Sequence, residues 1–322
     1  MEHEGNFYVL TQQKGIQIFD GETAQLVDSI VQNPLKSTTL MSNRISWVKF
    51  IEGRMIVFQF DRGLSIADLQ NNLFTPYFNT NEAEKHNTKA FVRDIVRDSR
   101  GHYWCAVSPY NIVELDKNLR YLGKIELPML DIAALYIEND VLYFGGGAFH
   151  AYDIRTKKMT TIYDYTYEGK KLPLSGTMTE CQYFQKSIEK DHEFFVTDLW
   201  LLFKVNSKTK SIQLIPWAFK GGYGLYSHRD VKGNFIVVND MFNVFYIDGN
   251  GKILYTFKEK FSVRHVYEQD CNHLWLGTTQ GLILFDTDKL EIKKQWKKSN
   301  GLADNTIYAI VPDTFQRLWL SS

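Results

Sequence analysis

An all-β fold is what this sequence predicts, and three observations carry the prediction. First, the 322 residues include 22 Phe, 18 Tyr and 7 Trp against 7 Pro, a loading that suits a pleated, half-buried surface. Second, stretches such as VRDIVRD and NTIYAIV alternate or run apolar in strand fashion, without the i, i+3, i+4 recurrence of a helix. Third, the chain repeats itself. The segment FVRDIVRDSRGHYWCAVSPYNIVELDKNLRYLGKI at 91–125 and the segment SVRHVYEQDCNHLWLGTTQGLILFDTDKLEIKKQW at 262–296 share one order of features. Each has a strand, a polar turn, a strand with a central aromatic, a short loop, a third strand running into Asp, and a fourth strand.

Four short strands in a period of about 44 residues are the signature of a β-propeller blade. The blades fall at about 44–77, 91–125, 130–162, 175–215, 223–257 and 262–296, with partial blades at 5–30 and 302–322. The centre of the second strand is held by Tyr8, Val57, Trp104, Tyr143, Phe195, Phe235, Trp275 and Trp319. One blade is a small twisted sheet that cannot cover both of its faces, so these residues are expected to wedge between neighbours. Asp20, Asp68, Asp116, Asp153, Asn206, Asp248 and Asp286 close the third strands. Asp and Asn bond their own backbone two residues on, so a turn into the fourth strand explains them better than a shared metal.

From Tyr8 to Trp319 the count gives a seven-bladed propeller of four-stranded antiparallel blades. The first blade has no legible first strand, and residues around Thr306 to Val311 are the candidate to supply it. Both ends carry a second strand, NFYVLT and RLWLSS, so the chain reads as trimmed from a longer array.

Formal net charge is zero, with 37 basic and 37 acidic residues, which recommends neither nucleic acid nor an anionic membrane as partner. Cys105, Cys181 and Cys271 lie far apart without metal-binding spacing, and no disulfide framework is expected. MEHEGNFYVL lacks the basic start and apolar run of a signal peptide, and no stretch reaches the length of a membrane span. The chain is thus either cytosolic or cut from a longer, targeted protein. There is no Gly-x-Ser-x-Gly, no His-Glu-x-x-His and no phosphate loop opening a helix. Gly145, Gly146 and Gly147 precede another strand, and DGNGK at 248–252 supplies only two calcium ligands. The eight histidines show no metal-ligand spacing. No catalytic residue, metal or cofactor is expected.

Binding is expected in loops. In a propeller the second-to-third-strand loops and the connections between blades emerge on one side, and long loops on a rigid scaffold are where ligands are usually met. The long connections lie at 77–90, 163–177 and 216–224. Candidate ligand contacts are Trp217 and Tyr223 in the last of these, with Arg62, Tyr110, Trp200, Phe242 and Gln280 from second-to-third loops. Aromatic rings beside polar groups suit sugars, whose C–H faces lie on the π surface while hydroxyls take hydrogen bonds.

Two units carry a more specific pattern. Gly301, Leu302, Asn305, Ile307, Ile310, Asp313, Leu318 and Trp319 match the two-component regulator propeller repeat, as do Asp270, Leu274, Trp275, Gly277, Thr278, Gly281 and Leu282 one unit earlier. The chain therefore resembles that family, closely over about 60 C-terminal residues and elsewhere in strand order and turn residues. The resemblance implies the periplasmic sensor region of a Bacteroides-type hybrid two-component system that responds to carbohydrate fragments. It implies partners absent from this chain: a second propeller, a β-sandwich, a membrane span, a histidine kinase, a receiver and a DNA-binding module, in a parent that is a homodimer. Under it, this chain is the first sensor propeller, an oligosaccharide is the ligand, and the fragment itself is not an enzyme. Two alternatives stay open. A glycan lyase or hydrolase would need a carboxylate pair in the channel, with Glu180, Asp94 and Asp131 as candidates. A scaffold of the tryptophan-aspartate kind would show Gly-His and Trp-Asp pairs in each blade, which this sequence lacks.

Overall fold

The structure is a computed structural model that describes residues 1–322 except 12, 37, 52, 60–62, 69–72, 78–90, 109–110, 128–131, 146–147, 164–165, 168–169, 172–180, 188–189, 199–201, 216–223, 240 and 314. The chain divides into two compact units, residues 1–160 and residues 161–173 with 178–322.

In the first unit, blade 1 is Glu2–His3, Asn6–Leu10, Ile16–Asp20 and Leu26–Ile30, and blade 2 is Ile45–Ile51, Arg54–Gln59, Leu64–Asp68 and Leu73–Tyr77. Blade 3 is Phe91–Arg97, Tyr103–Ser108, Asn111–Leu115 and Tyr121–Glu126, and blade 4 is Leu135–Glu138, Val141–Gly145, Phe149–Asp153 and Lys158–Tyr163, whose last strand runs past residue 160. In the second unit, blade 5 is Cys181–Lys186, Glu193–Asp198, Leu202–Asn206 and Ser211–Ile215, and blade 6 is Gly224–Arg229, Phe235–Asn239, Val244–Ile247 and Ile253–Thr256. Blade 7 is Val263–Asp270, His273–Thr278, Gly281–Asp286 and Glu291–Trp296, followed by a terminal hairpin of Ala309–Pro312 and Leu318–Ser321. The fold is therefore all-β, with seven four-stranded antiparallel propeller blades whose strands pair in chain order.

Blade 1 differs from the sequence reading. Its first-strand place is filled by Glu2–His3, which pairs with Phe7 and Asn6, while Tyr8 N–H donates to the Met1 carbonyl at 2.8 Å. Thr306–Val311 does not supply that strand: Ala309–Pro312 pairs with Leu318–Ser321. A two-residue polar strand has no alternation to read, which is why it was not legible.

Second strands are the buried ones. Phe235–Asn239 is buried throughout, whereas Leu26–Ile30 at the fourth-strand position of blade 1 is exposed at four of five residues. Alternate residues of a second strand point to opposite faces, so each enters a different core. Tyr8 packs with Val48, Met55 and Val57 between blades 1 and 2, and Ile56 and Phe58 pack with Ile95, Tyr103 and Cys105 between blades 2 and 3. Trp104 and Ala106 pack with Leu135, Leu142 and Phe144 between blades 3 and 4. In the second unit Phe195 meets Phe235 and Val237, Ile236 and Val238 meet Leu274 and Leu276, and Trp275 lies against the cluster of Ile307 and Ile310.

These clusters correct the repeat alignment at two places. Trp104, Phe195 and Trp275 face the following unit, but Val57 and Phe235 face the preceding blade, and the residues matching Trp104 are Ile56 and Ile236. The period of a strand is two, so a slip of one residue reverses the face. Tyr143 is fully buried and alternates with Leu142 and Phe144, while Trp319 is half-buried in the terminal hairpin.

Turns are held by Asp and Asn side chains. Oδ1 of Asp20, Asp116, Asp153, Asn206, Asp248 and Asp286 each accepts backbone N–H groups two and then three or four residues on, at 2.7–3.1 Å. The side chain of Asp68 lies outside the described residues.

A second device closes the turn between first and second strands. Asp98 Oδ1 accepts from Arg100 and His102 N–H while Oδ2 accepts from the Trp104 indole at 3.0 Å. Asp313 repeats this with Phe315 and Arg317 N–H and the Trp319 indole at 3.1 Å. In blade 6 Asp230 accepts from Asn234 N–H and from the Tyr246 hydroxyl at 2.5 Å. In blade 7 the register shifts between Glu268 and Asp270, and Gln269 Oε1 takes the Trp275 indole at 2.8 Å.

Replacing Trp104 by Ala is expected to cost about 3–5 kcal/mol in urea unfolding, the range for emptying a large buried aromatic site. Trp104→Phe, which keeps the ring and loses the bond to Asp98, is expected to cost about 1.5–3 kcal/mol, the scale of a hydrogen bond to a charged group. The Asp313 carboxyl is pushed up by burial, but bonds from Arg317, Trp319 and the backbone outweigh this and hold it at about 2. With an unfolded value of about 3.9, Asp313 contributes stability that is full above that value and lost as pH falls through 2. Hydrogen-exchange protection of the hairpin 309–321 should drop between about pH 4 and pH 2, and Asp313→Asn should remove that step.

Candidate functional site

The described part of the loop side is most complete in the second unit. In blade 6 residues 239 and 241–243 belong to the second-to-third turn. Asn239 Oδ1 accepts from Asn243 N–H at 2.9 Å and its carbonyl accepts from Phe242 N–H at 2.9 Å. The Phe242 carbonyl in turn accepts from Phe261 N–H at 3.0 Å. Phe242 has φ 59°, in the left-handed region, and is 46% exposed beside Met241 at 44%. A bulky residue there carries a strain of about 1–3 kcal/mol and persists only where its surroundings over-determine it. The three bonds do so, and they hold an aromatic ring out in solvent.

Gln280 occupies the matching loop of blade 7. Thr278 Oγ1 donates to the Gly281 carbonyl at 2.7 Å and accepts from Gln280 N–H at 2.9 Å, leaving the Gln280 side chain exposed. The two loops are joined through the connection between blades 6 and 7. Phe261 bonds the Phe242 carbonyl, the next residue, Ser262, accepts from Thr279 N–H at 3.0 Å, and Ser262 N–H donates to Thr279 Oγ1 at 3.1 Å. Phe242 and Gln280 thus lie along one hydrogen-bonded edge, with exposed Lys258 and Lys260 on the same connection. Arg62, Tyr110, Trp200, Trp217 and Tyr223 lie outside the described residues, as do Glu180, Asp131, Gly146, Gly147 and most of the three long connections.

Asp94, the described member of the carboxylate set considered for an enzyme, is committed to the fold. Its Oδ1 meets Lys49 Nζ at 3.2 Å and Ile95 N–H at 2.7 Å, and its Oδ2 accepts from Leu135 N–H at 2.9 Å. Burial pushes its pKa up, against the pull of Lys49 and these bonds. It ties the first strands of blades 2, 3 and 4 together.

On the side of the first turns, Asp98, His102 and Glu114 bring one ligand-type atom each within 4.8 Å of one another. Arg100 holds the position a cation would take: its guanidinium lies 2.6 Å from Asp98 Oδ2 and 2.9 Å from Glu114 Oε1. His102 Nδ1 lies 2.9 Å from the same Glu114 oxygen. Bonds from Trp104, Arg100 and His102 lower the Asp98 pKa against the opposing effect of burial. The cluster is a saturated turn lock rather than a vacant ligand set. Sequence reasoning missed it, although the Asp and Trp six residues apart in DSRGHYW and DTFQRLW could have shown it.

No family model matches the chain, and no curated protein matches its sequence. Solved structures match its fold. Extracellular domains assigned to two hybrid two-component systems of B. thetaiotaomicron match at 16% identity and TM-score 0.58 over 91% of this chain, and at 13% and 0.51 over 99%. The chain spans 38% and 54% of their lengths. Dihydro-heme d1 dehydrogenase NirN in complex with DHE matches at 10% identity and TM-score 0.61, over 90% of this chain and 63% of that one. At such identities the likeness establishes the fold. Among the described residues no helix is long and apolar enough to cross a membrane.

Gly281 sets the Gln280 loop. Its φ is 106° and a Cβ there would lie 2.0 Å from the Trp296 carbonyl oxygen. Gly281→Ala is expected to destabilise the protein by at least about 1–3 kcal/mol in urea unfolding, whereas Gln280→Ala, at an exposed position, should stay within about 0.5 kcal/mol.

Proposed function

We propose that this chain is a non-catalytic sensor propeller from the extracellular or periplasmic part of a hybrid two-component signalling protein, and that it binds or transmits the binding of a carbohydrate. The observation that carries the reading is the fold match to two hybrid two-component extracellular domains along nearly all of this chain. The repeat pattern in residues 270–282 and 301–319 supports the same reading. Of the candidate loop aromatics, Phe242 lies among the described residues and offers an exposed π face fixed by its backbone, and Gln280 offers amide donors and acceptors along the same edge. Trp200, Trp217, Tyr223, Tyr110 and Arg62 extend the proposed contact set.

Signalling then follows from differential affinity. A ligand bound more tightly in one arrangement of a homodimeric parent shifts the population toward it, and the kinase responds to that shift. The second propeller and the membrane-anchored remainder are the partners this requires.

Calorimetric titration with plant and host oligosaccharides, alongside reducing-end and unsaturated-product assays, tests the proposal. Saturable binding without turnover is expected. Phe242→Ala should weaken binding by about 0.5–1.5 kcal/mol, the scale of a stacking aromatic beyond its buried area, with an unchanged melting temperature. Turnover would replace the sensor reading by a glycan lyase or hydrolase.

A further inference from the structure

In the second unit, Thr256 ends the fourth strand of blade 6 and Val263 begins the first strand of blade 7, and the connection between them is an arch pinned at two points. Phe257 N–H donates to the Val244 carbonyl at 3.0 Å, and Phe261 N–H donates to the Phe242 carbonyl at 3.0 Å. Both rings are buried, and their centroids lie 5.6 Å apart in an edge-to-face contact. The feet of the arch therefore rest on the Phe242 turn and on the strand that leaves it. Between the feet stand Lys258, Glu259 and Lys260, all exposed.

The charges along this edge do not cancel. Glu259 is taken by Lys297, whose Nζ lies 3.4 Å from Glu259 Oε2, and Asp304 Oδ1 caps Thr306 N–H at 2.9 Å. Lys298 belongs to the same edge: its N–H donates to Asn305 Oδ1 at 2.7 Å, and the Asn305 carbonyl accepts from Gly281 N–H, beside Gln280, at 2.6 Å. Among the described residues, Lys258, Lys260 and the exposed Lys298 pair with no carboxylate. Three uncompensated ammonium groups, an amide and a fixed aromatic ring suit a ligand that joins an apolar ring face and hydroxyls to negative charge. A neutral sugar would leave the lysines unused, a bare anion would leave the ring unused, and a cation would be repelled.

We infer that the ligand of this edge is an acidic saccharide, with Phe242 against a sugar ring, Gln280 at its hydroxyls, and Lys258, Lys260 and Lys298 drawing its carboxylate or sulfate groups. The inference rests on the sensor reading for the site and for the ligand's being a sugar, and it adds the charge that the ligand carries. Ammonium groups are point charges on flexible stems, so the edge selects negative charge without fixing one anion geometry. Exposed charges are screened by salt, which gives the inference a second readout.

The test is calorimetric titration of the full chain with oligogalacturonides and their methyl esters, with keratan oligosaccharides that carry or lack sulfate, and with acetate and inorganic sulfate. At least one acidic oligosaccharide should bind saturably, with its neutral counterpart weaker by about tenfold or more, the scale of a lost charged hydrogen bond. Added sodium chloride should weaken the acidic ligand selectively. The galacturonide and keratan arms tell carboxylate from sulfate. Lys258→Gln combined with Lys260→Gln should cause a similar loss with an unchanged melting temperature, since both side chains are exposed, and Lys258→Arg combined with Lys260→Arg should restore binding. Phe242→Ala should weaken the same ligand by about two- to tenfold, the scale of a stacked ring. Absence of saturable binding by any acidic oligosaccharide, equal binding by its neutral counterpart, equal binding by acetate or inorganic sulfate, or a Gln variant that binds as before would each overturn the inference. Neutral oligosaccharide binding that needs Phe242 and ignores the lysines would sink this ligand class and keep the sensor reading. Acidic oligosaccharide binding that needs the lysines, together with glycan turnover, would do the reverse.

Discussion

A four-stranded twisted sheet has two apolar faces and cannot cover either by itself, and the rest of this structure follows from that constraint. Each second strand divides its side chains between two cores, so that Ile56 and Phe58 serve one interface while Met55 and Val57 serve the one before it. Burial on both faces explains why second strands are rich in aromatic and β-branched residues. It also explains why the fourth strands can be polar and exposed. First strands add polar cross-links between neighbours. Lys49 reaches Asp94 and the Ile95 carbonyl, Asp94 reaches Leu135, Gln185 exchanges two bonds with the Arg229 backbone, and His228 meets Glu268.

Packing of this kind leaves the turns with backbone groups to satisfy, and carboxylates do it. Asp98, Asp230 and Asp313 each cap their turn with one oxygen and accept an aromatic N–H or O–H with the other, which fastens the turn to the strand buried next to it. Acidic residues that a reader of the sequence would weigh as catalytic or metal-binding are thus engaged in holding the blades. The Asp98, His102 and Glu114 cluster is the sharpest case, because Arg100 already supplies the positive charge.

Exposed side chains at the loop ends belong to segments that the packing does not consume. Phe242 and Gln280 sit in the second-to-third loops of blades 6 and 7. Both loops are held by hydrogen bonds to the connection between blades 6 and 7, so little conformational entropy is left in their backbones.

The period, the strand order and the role of the Asp and Asn residues at the third-strand ends were legible in the sequence, because they depend on alternation and on local side-chain to backbone bonds. Trp104, Phe195 and Trp275 were legible for the same reason. Val57 and Phe235 were aligned one residue off, since spacing counts residues but a strand reverses face at every one. Glu2–His3 was hidden because two polar residues carry no periodic signal. The sequence by itself therefore determined the blades and their turns, whose causes lie within a few residues. Only the tertiary structure decided that Asp94 bridges Lys49 and Leu135 and that Gln185 bonds the Arg229 backbone, because those contacts join segments whose proximity is set by the packing of whole blades.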